Sequence, residues 1–341
     1  TEAYKSEYAN VHRGLHYLAN AATEAYEGGR AKVAKFLNAA RTEEIIFTRN
    51  ATEAINLVAS SWGEPNIKPG DEIVISIMEH HSNIVPWHFL RERHGAVIKW
   101  APVDDEGNFL IEEFEKLLTD RTKIVAITQM SNALGTLVPV KDVVKLAHAR
   151  GIPVLVDGSQ AAVHLAVDVQ DIDADFYVFT GHKLYGPTGI GVLYGKHALL
   201  SAMRPYAGGG EMIREVSRDV ITYGEPPHKF EAGTPPIVEA IGLGAAIDYV
   251  QSIGKERIAA HEHALVTYAQ THRQLDIEAE TVRRTLAMAQ AYPGYPLRLK
   301  HPAGGGGKGQ RVLSPEEMQG PGAQEAIVEA LTKLWAEMGV S

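Results

Sequence analysis

Lys123-Ile-Val-Ala-Ile-Thr128 is followed by Val140-Lys-Asp-Val-Val-Lys-Leu-Ala-His-Ala-Arg150 and then by Pro153-Val-Leu-Val-Asp157. The outer two segments are short and apolar on both faces, which is typical of buried parallel strands. The middle segment has apolar residues at helical spacing. A strand, a helix and a second strand in this order predict the repeating unit of an α/β fold with a parallel sheet.

The same alternation extends over the first 200 residues. Further strands are predicted at Glu44–Phe47, Glu72–Ile77, Val97–Ala101, Phe176–Thr180 and Gly191–Tyr194, and further helices at Thr52–Ser61, Ile84–Arg93 and Ile111–Leu118. We therefore expect a doubly wound, mostly parallel sheet. One connection differs, because only the residues Gly181–Ile190 join the last two strands. This connection is too short for a helical crossover, so we expect one antiparallel strand.

The second part of the chain is more irregular. A hairpin is predicted at Glu215–Tyr223, and helices are predicted at Ile237–Ser252, Lys255–Gln270, Glu278–Ala291 and Ala323–Met338. Between the last two helices, Pro293–Gly322 contains eight Gly and five Pro with almost no periodicity, and Gly304–Gly309 within it is interpreted as a linker. We expect a large domain at residues 1–252 and a smaller C-terminal domain at residues 253–341.

Composition excludes several classes of function. The 341 residues include 33 Lys and Arg against 42 Asp and Glu, a net charge of −9, which argues against nucleic acid or an anionic membrane as the main partner. No apolar run is long enough to span a bilayer. The N-terminus is polar, unlike a signal peptide, and does not begin with Met, so we expect a trimmed, cytoplasmic chain.

There is no cysteine in the sequence. This absence excludes disulfides, thiolate–metal sites and a cysteine nucleophile within these residues. The pair of histidines in Glu79-His-His81 is a weak metal signal by itself, and no metal site is predicted.

Polar side chains follow the predicted strands where ligands bind in an open α/β sheet, at the carboxyl ends. These candidates are His80, Ser131–Asn132, Asp157, Thr180-Gly-His-Lys183 and Asn50-Ala-Thr-Glu53. The last segment begins a helix, whose free N–H groups suit a phosphate. A phosphate site, a carboxylate, an imidazole and a lysine around one crevice are what pyridoxal phosphate requires.

Each of these residues also has a purely structural interpretation. Lys183 could be a solvated loop residue, Asp157 and Thr52 could cap helices, and His80 could be packed or bind a metal. Their occurrence together, in the chain order phosphate site, His, Asn, Asp and Lys, favours the cofactor.

Seven segments carry a resemblance to a known family: Asn10-Val-His-Arg-Gly14, Thr48-Arg-Asn-Ala-Thr-Glu-Ala-Ile-Asn56, Glu79-His-His-Ser-Asn-Ile-Val-Pro-Trp87, Ser131-Asn-Ala-Leu-Gly135, Val156-Asp-Gly-Ser-Gln-Ala161, Thr180-Gly-His-Lys-Leu-Tyr-Gly-Pro-Thr188 and Phe230-Glu-Ala-Gly-Thr234. They resemble the SUF-type (group II) cysteine desulfurases. This family is close to the selenocysteine lyases, within the class V aminotransferase group of fold-type I pyridoxal-phosphate enzymes. The resemblance extends from about Tyr4 to Tyr268.

The resemblance implies a role for each matching residue. Lys183 would bond to the cofactor aldehyde, Asp157 would pair with the ring nitrogen, and Gln160 would bind the phenolic oxygen. His80 would stack on the ring and move protons, and Asn132 would lie beside the cofactor. The implied phosphate ligands are Ala51, Thr52, Thr180 and His182, together with Thr234 acting on the neighbouring subunit of a homodimer.

The implied activity converts L-cysteine to L-alanine and passes sulfur, through an enzyme persulfide, to an acceptor protein for iron–sulfur cluster assembly. The sequence departs from the family where that activity is decided. It has neither the persulfide cysteine nor the loop that carries it, and nothing after Thr271 resembles this loop. No motif assigns an arginine to the substrate carboxylate, and we expect that the family's N-terminal segment is missing before Thr1.

Three hypotheses therefore stay open. The first is a cysteine desulfurase, and the second is another pyridoxal-phosphate enzyme without a thiol nucleophile, such as a C–S lyase, a selenocysteine lyase or an aminotransferase. The third is a non-catalytic dimeric scaffold that binds sulfur-transfer partners. The unusual C-terminal region is either a true divergence or an incomplete reading of an ordinary desulfurase, and we expect the latter.

Overall fold

The computed structural model describes residues 3–12, 14, 16–271, 277–294, 296–300, 310–319 and 322–337. The chain folds into two compact units, Thr1–Ala259 and Ala260–Ser341. The sequence prediction divides the chain after residue 252. That the second unit is the small domain of the family stays a prediction.

A seven-stranded sheet forms the centre of the first unit. Its strands are β1 (Ile45–Thr48), β2 (Glu72–Ser76), β3 (Val97–Ala101), β4 (Thr122–Thr128), β5 (Val154–Asp157), β6 (Phe176–Thr180) and β7 (Gly191–Gly195). They lie in the order β1-β7-β6-β5-β4-β2-β3, and only β7 runs antiparallel to its neighbours. The prediction of a mostly parallel sheet with one antiparallel strand is therefore confirmed.

Helices cover both faces of this sheet. In the first unit they are α1 (Tyr17–Leu37), α2 (Ala51–Val58), α3 (Glu64–Asn66), α4 (Val85–His94), α5 (Ile111–Leu117), α6 (Val140–His148), α7 (Ala161–His164), α8 (Val169–Ile172), α9 (His197–Ala202) and α10 (Ile237–Ile253). Helix α11 (Lys255–Thr271) continues into the second unit. No single helix among the described residues has the length and composition to cross a membrane, and only α10 joined to part of α11, bent by 72°, passes such a test.

The alternation of side chains along each strand divides the core into two layers. Along β5, Val154 and Val156 pack in one cluster with residues of α1, α5, α6 and α10. Leu155 points to the other cluster, which contains residues of α2, α4 and α9. Because all five residues of β2, β6 and β7 are buried, the sheet is enclosed on both faces, as the apolar strand sequences predict.

The long helix α1 is absent from the sequence prediction. Gly28 and Gly29 lie inside it and are unfavourable in an isolated helix. The tertiary structure explains Gly29, since a Cβ at this position would lie 2.7 Å from the backbone oxygen of Ala240 in α10. The glycine therefore permits the close packing of α1 on α10, which outweighs its low helix propensity.

The hairpin prediction is confirmed by β8 (Ile213–Val216) and β9 (Ile221–Tyr223). In the second unit, the sequence analysis predicts no helix or strand within Pro293–Gly322. This region contains an antiparallel pair, β10 (Leu297–Lys300) and β11 (Gln310–Leu313), which packs with α12 (Ile277–Ala291) and α13 (Ala323–Glu337). The strands are only four residues long and adjoin glycine and proline, so their pattern is weak. The predicted linker Gly304–Gly309 lies outside the described residues.

Candidate active site

A cavity of about 180 Å³ lies at the carboxyl ends of β1, β4, β5 and β6. Nine of the ten residues that the sequence predicts for the site line it: Ala51, Thr52, His80, Asn132, Asp157, Gln160, Thr180, His182 and Lys183. These residues come from loops far apart in the chain, and the parallel strands bring them to one edge of the sheet.

One wall of the cavity is the N-terminus of α2. Asn50 caps the helix by accepting the N–H of Glu53 on its side-chain oxygen at 2.9 Å. The first N–H groups of the helix, those of Ala51 and Thr52, have no intrahelical acceptor and can bind an anion. Gly191 makes this wall possible, because a Cβ there would lie 2.4 Å from the carbonyl carbon of Asn50.

Asp157 ends β5 and is 4% exposed. The backbone N–H of Ser159 donates to its Oδ1 at 2.9 Å. Within the described part of the chain, Oδ2 has no hydrogen-bond partner, so it is available to a cationic ligand atom. A buried carboxylate with one unpaired oxygen needs such a partner, because an isolated buried charge is strongly unfavourable.

Lys183 lies in a short 3-10 turn, Gly181–Leu184, between β6 and β7. The turn is closed by the N–H groups of Tyr185 and Gly186, which both donate to the carbonyl of Gly181. Lys183 is half-buried and lines the cavity. In the same turn, Thr180 Oγ1 and His182 Nδ1 form a hydrogen bond of 3.0 Å, which holds both side chains at the cavity.

His80 follows β2 and is the candidate for stacking and proton transfer. The backbone N–H of Ser82 donates to its Nδ1 at 3.2 Å, so the proton of the neutral ring lies on Nε2. Burial and the positive charge of Lys183 lower the pKa of His80, while the negative charge of Asp157 opposes them. The ring is therefore neutral at neutral pH and electrostatically coupled to both charged residues.

Two further predicted residues border the cavity on loops. Asn132 is exposed and belongs to a turn in which the hydroxyl of buried Ser131 accepts the N–H groups of Ala133 and Leu134. Gln160 is half-buried and immediately precedes α7. Both side chains can donate and accept hydrogen bonds at the cavity.

Thr234 is the predicted residue that the structure does not bring into this cavity. It lines a separate, more open cavity together with Arg49, Asn50 and His182. Its loop begins at Glu231, whose carboxylate is held by both terminal nitrogens of buried Arg30, at 2.7 and 2.8 Å. The prediction that Thr234 serves a neighbouring subunit stays a prediction.

Sequence reasoning missed several residues of the site. Ser82, Thr128, Met130 and Ser159 also line the cavity, as does Asn50 of the predicted phosphate segment. The four missed residues all lie within two residues of a predicted site residue or of a predicted strand end, which is the signal that could have found them.

The residues present fit pyridoxal phosphate. The start of α2, approached closely by Gly191, leaves two N–H groups for the phosphate. Asp157, a buried residue that lines the cavity, offers its unpaired oxygen to the ring nitrogen, and Lys183 offers an amine to the aldehyde. Over the residues that the structure describes, no group of three or more His, Asp or Glu side chains is arranged to hold a metal ion.

Comparisons with known proteins identify the family of the chain. The profile of the aminotransferase class-V family matches residues 1–287. A cysteine desulfurase of Synechococcus elongatus is 56% identical over 265 residues, which cover 78% of this chain and 42% of that protein. The chain therefore spans less than half the length of this curated relative.

Two solved structures are similar to the chain. The apo structure of a cysteine desulfurase from Thermococcus onnurineus NA1 has a TM-score of 0.76 and 41% identity, covering 83% of this chain and 68% of the other. The cysteine desulfurase CsdA of Escherichia coli, in its S-sulfonic acid form, has a TM-score of 0.70 and 33% identity, covering 96% and 88%.

Proposed function

The chain belongs to the aminotransferase class-V family and has the fold of the fold-type I pyridoxal-phosphate enzymes, and on that premise we propose that it is a pyridoxal-phosphate-dependent, SUF-type cysteine desulfurase-like enzyme. One observation carries the proposal: Asp157 and Lys183 line the same cavity as the N-terminus of α2. The name shared by the similar proteins supports L-cysteine as the substrate.

In this proposal each end of the cavity holds one part of the cofactor. The phosphate would be bound by the N–H groups at Ala51 and Thr52 and by the side chains of Thr180 and His182. The carboxylate of Asp157 would keep the ring nitrogen protonated, and Gln160 would donate to the phenolic oxygen. His80 would stack on the ring, and Asn132 would lie beside the cofactor near the substrate.

When bound, pyridoxal phosphate supplies an aldehyde that condenses with amines and a ring that accepts the electron pair left at the substrate's α-carbon. The chain supplies the proton transfers. Lys183 Nζ, as a free amine, takes the α-proton of the substrate. His80 Nε2 holds a proton that can be delivered to the substrate, because the bond from the N–H of Ser82 to Nδ1 maintains this tautomer.

The 341 residues contain no thiol, so the sulfur acceptor lies outside them. L-Cysteine and an acceptor thiol RSH then give L-alanine and the persulfide RSSH. The C–S bond of cysteine breaks, an S–S bond forms, and the released proton is taken up by the new methyl group of alanine. The transferred sulfur is oxidised to sulfane sulfur while the β-carbon is reduced, so no further oxidant is needed.

The absence of cysteine also favours a second candidate, β-elimination. This reaction needs no protein thiol, and it converts cysteine and water to pyruvate, ammonia and hydrogen sulfide. The two candidates use the same residues up to removal of the α-proton and then form different products. Alanine as the main product would indicate the desulfurase, and pyruvate the lyase.

The proposal is tested by incubating the full chain with pyridoxal phosphate and reducing it with borohydride. We expect a covalent adduct on Lys183 by peptide mass spectrometry, and turnover of L-cysteine to alanine when a thiol is present. Lys183→Ala is expected to lose both. Lys196→Ala is the matched control, because Lys196 pairs with Asp173 away from the cavity. An adduct that persists in Lys183→Ala would contradict the assignment, and an adduct without any turnover would favour a scaffold.

We further propose a homodimer in which Thr234 of one subunit completes the phosphate site of the other. The position of Thr234 beside, but outside, the cavity supports this arrangement. Mixing inactive Lys183→Ala chains with Thr234→Ala chains should then restore activity, because a mixed dimer contains one intact site. If Thr234 acts within its own subunit, mixing restores nothing. Sulfur delivery to an acceptor protein for iron–sulfur cluster assembly, in the cytoplasm, completes the proposal.

A further inference from the structure

Glu79 is a buried carboxylate directly behind the candidate active site. It follows the end of β2, precedes His80, and is only 7% exposed. It does not line the cavity that contains Asp157 and Lys183. A buried carboxylate so close to a site and outside its wall requires an explanation, because burying it is unfavourable without compensating contacts.

Three donors hold the carboxylate. Ser76 Oγ and the backbone N–H of Thr128 donate to Oε1 at 2.5 and 3.0 Å. Asn83 Nδ2 donates to Oε2 at 2.7 Å. The orientation of Asn83 is determined by Trp87, whose Nε1–H can only donate and contacts Asn83 Oδ1 at 3.0 Å. Both oxygens of Glu79 therefore act as acceptors, which is the pattern of an ionised carboxylate.

These hydrogen bonds join three segments next to the site. Ser76 is the last residue of β2, Thr128 is the last residue of β4, and Asn83 belongs to the turn after His80. Thr128 lines the cavity and continues into the loop that carries Asn132. The backbone on both sides of His80 is thus connected, through Glu79, to the end of β4.

We propose that Glu79 is a positioning residue, which fixes the turn of His80 against the ends of β2 and β4 and so sets the ring orientation that the active site uses. This role deepens the proposed function and rests on it. Removal of the carboxylate would free the turn, and displacing a catalytic group by about 1 Å can reduce turnover on the order of 100-fold.

The electrostatics agree with a group held by its donors. Burial raises the pKa of Glu79 to about 7, the three donors act against burial, and the nearby charge of Asp157 raises the pKa further. Near neutral pH the ionised form of Glu79 therefore depends on the hydrogen bonds from Ser76, Asn83 and Thr128. Without one of these donors the ionised carboxylate would be held less firmly.

The test compares Glu79→Gln with Glu72→Gln. Glu72 is a matched control, since it is fully buried at the opposite end of the same strand, where it accepts from Thr119 and Arg121. Ring ¹⁵N NMR of His80 in the cofactor-free full chain, assigned with His80→Gln, reports its tautomer and titration. Visible circular dichroism and steady-state kinetics of the reconstituted protein report the ring environment and turnover.

We expect Glu79→Gln to mix the two tautomers of His80, to change the visible circular dichroism, and to lower kcat at least 10-fold with KM within about 3-fold. Glu72→Gln should lower the stability of the protein but leave the His80 tautomer, the visible circular dichroism and kcat unchanged. Ser76→Ala, which removes one donor, should give a smaller change of the same kind if Glu79→Gln does not fold. An unchanged His80 signal in a folded Glu79→Gln would overturn the proposal. Because that signal needs no cofactor, failure of the proposed function would instead appear as absent turnover in every variant.

Discussion

Replacing Arg30 by methionine removes the cation of a buried ion pair that does not line the cavity. Arg30 and the Glu231 side chain are 1% and 5% exposed. The guanidinium makes two parallel bonds to Glu231, of 2.7 and 2.8 Å, and donates to the carbonyl of Ile45 at 2.7 Å. In Arg30→Met the carboxylate of Glu231 keeps, among the described residues, the hydroxyl of Tyr26 and the N–H of Phe47 as hydrogen-bond donors.

Breaking one side of a buried pair leaves an uncompensated charge, which costs about 3–5 kcal/mol. We expect Arg30→Met to lower the free energy of unfolding by that amount, measured by urea titration with circular dichroism. Arg49→Met is the matched control. Arg49 pairs with Glu53 at 2.9 Å but is 76% exposed, so the loss should stay below about 1 kcal/mol.

The double variant Arg30→Met/Glu231→Gln separates the buried charge from lost packing. If the charge on Glu231 dominates, the double variant should be more stable than the sum of the two single effects by about 1–3 kcal/mol. The reasoning is refuted if Arg30→Met costs no more than Arg49→Met, or if the two substitutions are additive. Glu231 begins the loop that carries Thr234. The same variants should therefore also weaken the proposed contribution of Thr234 to the phosphate site.

Three other predictions concern the site. Burial places the pKa of Glu79 near 7, above its ordinary 4.5, so its contribution to stability is fully present below about pH 4.5 and is lost as pH rises through 7. Glu79→Gln should therefore reduce the difference in unfolding free energy between pH 5 and pH 8 by about 2–3 kcal/mol; an unchanged difference would mean an ordinary pKa. Gly191→Ala should weaken cofactor binding about 10-fold in equilibrium dialysis, since its Cβ would displace Asn50, whereas Gly28→Ala, which meets nothing within 4 Å, should leave binding unchanged. Asp157→Asn should retain the cofactor but lower kcat on the order of 100-fold, and near-normal turnover would exclude it as the ring partner.

Much of the fold and of the site could be predicted because both depend on local order along the chain. Short apolar strands such as Val154–Asp157 show their type without any distant contact, and a ligand site in such a sheet lies at the strand ends. His80, Asp157 and Lys183 could therefore be found from their positions alone. The connection Gly181–Ile190 is too short for a crossover, so even the direction of β7 followed from chain length.

The parts that were missed depend on residues distant in sequence. In the sequence Gly29 is unfavourable for a helix, and only its close contact with α10 explains why a helix forms there. The short strands of the second unit can be recognised only from their pairing in the structure. The proposed role of Glu79 depends on its burial and on the N–H of Thr128 in β4, 49 residues away, besides the local donors Ser76 and Asn83. Neither the burial nor the contact with β4 is visible in the local sequence.

The sequence by itself determined which residues stand at the ends of the strands, because strand type and chain order are local properties of the backbone and its apolar pattern. Only the tertiary structure decided their environments. Arg30 meets Glu231 across 201 residues, and Gly191 meets the start of α2 across more than a hundred. Burial, hydrogen-bond partners and pKa shifts are sums over all neighbours in space, and these neighbours are set only when the chain has folded.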